Sequence, residues 1–408
     1  MIRTIEHQLP PKNALNIFLI VLLAISIVYN SGSALMTVNV TIGLELLFTS
    51  YIILLVKYSK FSLRIKFNLF NLSFFLLMVM VINSFLFNFD LTYIASNIRY
   101  VLIISFAFIF VKSIEFELFV KYYIKTMKFI VVISLIPYYI INYLNINFLQ
   151  SLPIIENVNG VQYYNGILFY YFTYSHLRNI GVFWEPSIFS SLIVMAMVYE
   201  ICFKKEKTSY INIMIFTVGI ITSQSTGGIF LIPLVLFLYL FKNANTLKSL
   251  ILQIGLLLTS LFAFFNSNQL ILLLAEIFPR AYLQLDTAQD NVSVVDRLQS
   301  PLANFELFLG KPFFGLGLGN VDTAYSFLNI TQTSTSTYYL ATFGTLGIIY
   351  TFLIVYGVMK QKYRSLNERF IITIIILIIV NKEPHFWFVG TYIILFYFIK
   401  PELNVEIK

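Results

Sequence analysis

The chain has 408 residues, of which 59% are hydrophobic and only 11% charged, and its formal net charge is +8. Soluble domains carry roughly 25% charged residues, so the composition excludes a soluble domain and predicts an integral membrane protein. The positive balance then points to loops facing an anionic cytoplasmic leaflet, and nucleic acid is excluded as a partner.

Alternating strand patterns are missing and long apolar runs are frequent, so the expected fold is all-α: a polytopic bundle in one transmembrane domain over 1–408. With ~20 apolar residues per span as the ruler, about twelve helices are predicted, at 14–30, 38–56, 67–87, 93–111, 129–144, 186–203, 209–223, 228–241, 249–266, 336–359, 370–381 and 386–399. The first run has no small-residue cleavage site and reads as a span, not a cleaved leader. The single cysteine, Cys202, excludes an internal disulfide and a cysteine-based metal site, and reads as a packing residue.

Charge orients this layout. With both termini cytoplasmic, the inner segments 1–13, 57–66, 112–128, 204–208, 242–248, 360–369 and 400–408 hold 21 of the 27 Lys and Arg residues, as the positive-inside rule requires. The six outer cations are Arg99, Arg178, Arg280, Arg297, Lys311 and Lys382. Two outer loops, 145–185 and 267–335, exceed a plain connector and hold four of these six. Long loops in compact proteins tend to carry function.

The first loop closes on Arg178-Asn-Ile-Gly-Val-Phe-Trp-Glu185-Pro186-Ser187, directly before an apolar run. Proline suits the first helical turn, and a glutamate there favours a helix N-terminus. The stretch therefore reads as a polar platform at the mouth of a span. An outer arginine suits a phosphate or pyrophosphate because its planar fork donates two parallel hydrogen bonds. On that ground Arg178, Arg280 and Arg297 are candidate anion ligands, whereas Lys311 and Lys382 read as ordinary loop cations. Arg99 lies a turn or two inside the fourth span, where it faces a cavity or snorkels to the headgroups. Glu45, in the middle of the second span, reads as structural.

Arg280 follows Pro279 after the apolar stretch 270–278, which suits a surface-lying or re-entrant helix. Farther on, Gly315-Leu-Gly317-Leu-Gly319-Asn320 offers backbone N–H groups to an anion or allows close helix packing; it lacks the setting of a dinucleotide fingerprint. The turn Thr222-Ser-Gln-Ser225-Thr226-Gly-Gly228 either hydrogen-bonds sugar groups or caps two helix ends, capping being the commoner use. Of the three histidines, His7 is cytoplasmic, His176 lies two residues before Arg178, and His385 ends the last outer hairpin beside Lys382 and Glu383. No spacing matches a metal site, which favours a metal-independent reaction without a cofactor.

Arg178-x-x-Gly181-x-Phe183-x-Glu185-Pro186 resembles an element of the bacterial O-antigen polymerase/O-antigen ligase superfamily. Thr222 to Gly228 is similar to that family's next polar turn. Arg297 followed by Pro312-x-x-Gly315-x-Gly317-x-Gly319-Asn320 is similar to its third segment. The resemblance implies a GT-C-like membrane glycosyltransferase in the bacterial cytoplasmic membrane. Its substrates would be undecaprenyl-pyrophosphate-linked oligosaccharides at the outer face, with a chain-length regulator and a flippase as partners. Ligases of the family carry a histidine shortly after the glycine segment. Here that region reads Thr331-Gln-Thr-Ser-Thr-Ser-Thr-Tyr-Tyr339, which favours polymerase over ligase.

The implied mechanism places arginines on the leaving pyrophosphate, where negative charge develops. Arg178 and Arg280 come first, supported by Arg297 and Arg99. Glu185 serves as the base for the acceptor hydroxyl or as the ion-pair partner of Arg178, with His176 and Asp296 as weaker bases. A transporter is the rival reading, but it calls for ionisable residues near mid-membrane, and only Glu45 is placed there.

Overall fold

The computed structural model describes residues 30–34, 68–87, 93–144, 146, 148–157, 160–174, 177–242, 292–328, 334–361 and 365–400. The spans expected at 38–56 and 249–266, nearly all of that at 14–30, and the segment 267–291 fall outside these residues. The helices are α1 (Leu69–Phe87), α2 (Ile94–Ser113), α3 (Phe116–Asn142), α4 (Pro186–Val198), α5 (Tyr210–Ser223), α6 (Thr226–Lys242), α7 (Val292–Gly310), α8 (Asn320–Leu328), α9 (Thr335–Phe343), α10 (Thr345–Met359), α11 (Leu366–Val380) and α12 (Val389–Ile399). The protein is mostly helical. Among the described residues, four segments are long and apolar enough to cross a membrane: Leu69–Leu86, Ser96–Ser113, Phe116–Asn142 and Pro186–Phe203.

Two helices make the centre. Every residue of α4 and of its π-helical continuation Tyr199–Phe203 is buried, and so is every residue of α12. A helix apolar on all sides is stable only when surrounded. Accordingly α4 packs against α5 and α6, while α12 packs along α2 and α10. The π turn, in which Lys204 N–H reaches Tyr199 O at 3.0 Å, turns Glu200 inward. Its fully buried carboxylate accepts from Lys204 Nζ at 2.8 Å, Ser209 N at 2.7 Å and Asn212 Nδ2 at 2.9 Å. That clip closes the 204–208 loop.

Three expectations need correction. The span expected at 129–144 begins at Phe116, because Phe116, Phe119, Val120, Tyr123, Ile124 and Met127 form a buried stripe at helical spacing. Lys121 and Lys125 stay exposed on the opposite side, so an amphipathic helix replaces the expected loop. The span expected at 336–359 is two helices, broken where Gly344 takes φ +61°, a left-handed conformation that glycine enters without steric cost. Lastly, the first long loop is not all irregular. It contains a three-stranded antiparallel sheet, β1 (Ile154–Glu156), β2 (Gln162–Asn165) and β3 (Tyr170–Phe172), with Ile155 opposite Tyr163 and Tyr164 opposite Tyr171.

Candidate active site

The Arg178–Ser187 stretch threads between three other segments. Asn179 donates from its backbone to Thr222 O at 3.0 Å and from Nδ2 to Ser134 Oγ at 3.0 Å, which ties the stretch to α5 and α3. Its Oδ1 accepts Gly181 N at 3.0 Å, and Tyr170 N of β3 donates to Gly181 O at 2.7 Å. Gly181 lies against the Phe189 ring, where a side chain would collide. Residues 30–34 then run antiparallel to the motif. Ala34 N donates to Val182 O and Trp184 N to Gly32 O, at 3.0 and 3.1 Å. The same short segment holds the head of α12 through Ser31 Oγ, which accepts Gly390 N at 3.1 Å.

Arg178 is only 8% exposed, and Glu185 is half-buried in extended backbone immediately before Pro186. The sheet buttresses that carboxylate. Tyr163 OH donates to Trp184 O at 3.2 Å and accepts from Asn157 Nδ2 at 3.2 Å. Burial first, and then the Glu185 carboxylate, push the Tyr163 phenol above its ordinary value, since both disfavour a phenolate. The Glu185 carboxylate and the neutral Tyr163 phenol are therefore close at the α4 head, and the same stretch carries the buried Arg178 seven residues earlier.

The opposite side of that head was not legible as a site. Lys382 is 7% exposed; its Nζ donates to Ser187 O at 3.1 Å and to Ser190 Oγ at 2.8 Å. Glu383 accepts from Ser187 Oγ, and its carbonyl accepts from Thr335 Oγ1 of α9 at 3.1 Å. His385 is buried, with Nδ1 at 3.1 Å from Thr391 Oγ1, and its Nε2 has no hydrogen-bond partner among the described residues. Burial first, and Lys382 second, push this imidazole down to about 3, so it stays neutral near pH 7. Lys382 is thus not the ordinary loop cation expected of it. The available signal was three ionisable residues within Lys382-Glu383-Pro384-His385, set between two apolar helices, where each needs a partner.

Asn381 extends the network to the second long loop. Its Oδ1 accepts Ser334 Oγ at 2.8 Å and Ser336 N at 3.0 Å; Thr337 Oγ1 donates to Ser334 Oγ at 2.7 Å and accepts Asn304 Nδ2 of α7 at 2.9 Å.

The remaining candidates distribute as follows. The glycine run does not present its amides to an open cradle. Gly315, Leu316, Gly317 and Leu318 donate to Lys311 O, Ala341 O, Thr342 O and Ser84 Oγ, at 2.9, 2.8, 2.9 and 2.8 Å, so close packing is its use. Asn320 Nδ2 returns to Leu316 O at 3.0 Å. Ser225 is buried and its Oγ accepts Gly228 N at 3.4 Å, a cap on α6, with Thr226 the first residue of that helix. Arg99 is half-buried in the second turn of α2, and Lys311 is exposed. Arg297 and Asp296 lie on α7, but their side chains are outside the description; His176, Arg280 and Glu45 are outside it altogether. Among the described residues no His, Cys, Asp and Glu group of three or more is placed to hold a metal. Comparison with known proteins matched the chain to no family model and to no curated relative.

Proposed function

We propose that this chain is a membrane glycosyltransferase, a polysaccharide repeat-unit polymerase. It would transfer a glycan from undecaprenyl pyrophosphate to the non-reducing end of another lipid-linked repeat at the outer face of the bacterial cytoplasmic membrane. The proposal includes about twelve spans in a GT-C-like arrangement, both termini cytoplasmic, no cofactor, and a chain-length regulator and flippase as partners.

The observation that carries it is the burial of Arg178, 8% exposed, in the stretch that ends on the half-buried Glu185 at the head of a wholly buried helix. A guanidinium held in a partly dry site matches a diphosphate bidentately. In the reaction the acceptor hydroxyl oxygen bonds to the anomeric carbon as the bond from that carbon to the phosphate oxygen breaks. The electron pair leaves on undecaprenyl pyrophosphate, where Arg178 and Arg280 stabilise it, with Arg297 and Arg99 in support. The hydroxyl proton passes to Glu185. The reading also assigns Gly315, Gly317, Gly319, Asn320, Ser225 and Thr226 to the surroundings of the glycan, through the backbone shape they set, and His176, two residues before Arg178 in the sequence, to substrate binding.

The test is purified protein with an undecaprenyl-pyrophosphate-linked repeat. The expected result is a polymer ladder that Arg178→Lys and Arg178→Ala both abolish at normal expression. Transfer to lipid A core would make the chain a ligase, and translocation without new glycosidic bonds a flippase; either outcome overturns the polymerase reading.

A further inference from the structure

Lys382 asks for an explanation that the transfer reaction does not give. A buried ammonium loses its hydration, and a hydrocarbon side chain of similar length fills the same space without that cost. The site is also unfavourable by dipole, since a cation at a helix N-terminus is repelled. What an ammonium does and an alkyl chain does not is hold named oxygens at hydrogen-bond distance.

Those oxygens are Ser187 O and Ser190 Oγ, in the first turn and a half of α4. The stem of the lysine runs against the head of α6, where a Cβ added at Gly227 would sit 2.8 Å from Lys382 Cε. Next to it, a Cβ at Gly228 would sit 2.6 Å from Ser190 Cβ, so the two glycines let α4, α6 and the lysine come together. Glu383 accepts the Ser187 hydroxyl and offsets the dipole conflict. The heads of α4 and α6 therefore meet at the Lys382 side chain, and the N-terminus of α9 joins the same 381–385 turn through Glu383 O.

We propose that Lys382 is a positioning residue that fixes the head of α4, and with it the direction of Glu185, against α6 and the 381–385 turn. It contacts the backbone two residues after Glu185 and acts through Ser187 and Ser190. Its kinetic consequence rests on the polymerase reading, whereas its geometric consequence does not.

The chain's only two tryptophans, Trp184 and Trp387, flank this junction. Trp184 packs against Phe388 at 5.6 Å and Trp387 against Tyr100 at 5.8 Å. Intrinsic emission and acrylamide quenching of the full-length protein in lipid nanodiscs thus read the junction directly. Lys382→Met removes the two hydrogen bonds, and Gly227→Ala leaves every charge in place while displacing the lysine. Both variants are expected to shift the emission and raise the quenching constant. Both should also lower kcat by about 10²-fold, the order reached when a reacting group is misplaced by an ångström, while KM for the lipid-linked donor holds. Unchanged emission in both variants overturns the proposal, even where one of them folds poorly. A raised KM with wild-type kcat overturns it too, because Lys382 would then touch substrate. If wild-type protein makes no polymer at all, the polymerase reading fails and the tryptophan signals alone decide the positioning role.

Discussion

Ser187 donates its hydroxyl to the carboxylate of Glu383, a residue 196 positions away in the chain. This bond joins the motif that resembles a polymerase element to a turn that resembles nothing in particular. The two ends of the candidate site are thereby one structure. A hydrogen bond to an ionised, half-buried acceptor contributes about 1.5–3 kcal/mol, so Ser187→Ala should lower thermal stability by that order. Glu383→Ala should cost more, because it also strips a neighbouring negative charge from buried Lys382. Melting in one detergent, with the two variants side by side, checks the ranking; equal and negligible losses would contradict it.

The glycine run makes a sharper contrast. A Cβ at Gly315 would fall inside contact distance of Thr342 O, and one at Gly319 would enter the Tyr93 ring. Gly160, in the β1–β2 turn, has φ +76° but open space around it. Gly160→Ala should therefore cost only the left-handed backbone penalty, about 1–2 kcal/mol. Gly315→Ala should cost visibly more and reduce the folded yield. If the run bound an anion with its amides free, the two substitutions would differ in activity and not in stability.

At the far end of α4 the Glu200 clip gives an independent test of how the central helix is held. Glu200 is fully buried and accepts three donors, Lys204 Nζ from the 204–208 loop and Ser209 N and Asn212 Nδ2 from the start of α5. Glu200→Gln keeps the volume but brings an amide NH₂ toward donors and leaves Lys204 only the exposed Glu206 carboxylate, at 3.8 Å. Removing one partner of a buried pair costs about 3–5 kcal/mol; Lys204 is 20% exposed, which argues for the lower end. Limited proteolysis with a protease that does not cut at lysine should show faster cleavage within 204–208, whereas Lys207→Ala at an exposed position of the same loop should leave the rate unchanged.

The helical, membrane-type character was plain in the sequence because apolar length is a direct physical requirement. The start of α4 was legible for the same kind of reason: Glu185-Pro186 before an apolar run is a local signal. The three-stranded sheet was missed, although Asn159-Gly160 and Asn165-Gly166 between aromatic and β-branched residues are hairpin signals; the apolar background hid a pattern of three short strands. The break at Gly344 was missed because the hydropathy of α9 and α10 is continuous across it. Lys382 was misjudged for a different reason. Charge counting treats an outer cation as a loop feature, and only the return of the 381–385 turn onto α4 and α6 buries it. The local cluster Lys382-Glu383-Pro384-His385 signals that partners are needed, but not that they lie on α4 and α6.

The neutral state of His385 makes stability depend on pH with a defined sign. Burial and the nearby Lys382 hold its folded-state value at about 3, against an ordinary 6.5. The charged groups beside it in the turn are Lys382 and Glu383. Between those two values the unfolded chain binds a proton that the folded protein does not, so stability rises with pH. The contribution is complete above about 6.5 and is lost as pH falls toward 3, at up to about 1.4 kcal/mol per pH unit. His385→Asn, which cannot titrate, removes this slope. The expected result is that lowering pH from 7 to 5 destabilises wild type more than His385→Asn, whatever their absolute melting temperatures. The paired comparison matters, because carboxylates elsewhere contribute their own acid sensitivity equally to both proteins. Parallel melting curves across that window would mean that His385 is as easily protonated in the folded protein as in the unfolded chain, and the 381–385 turn would then admit water.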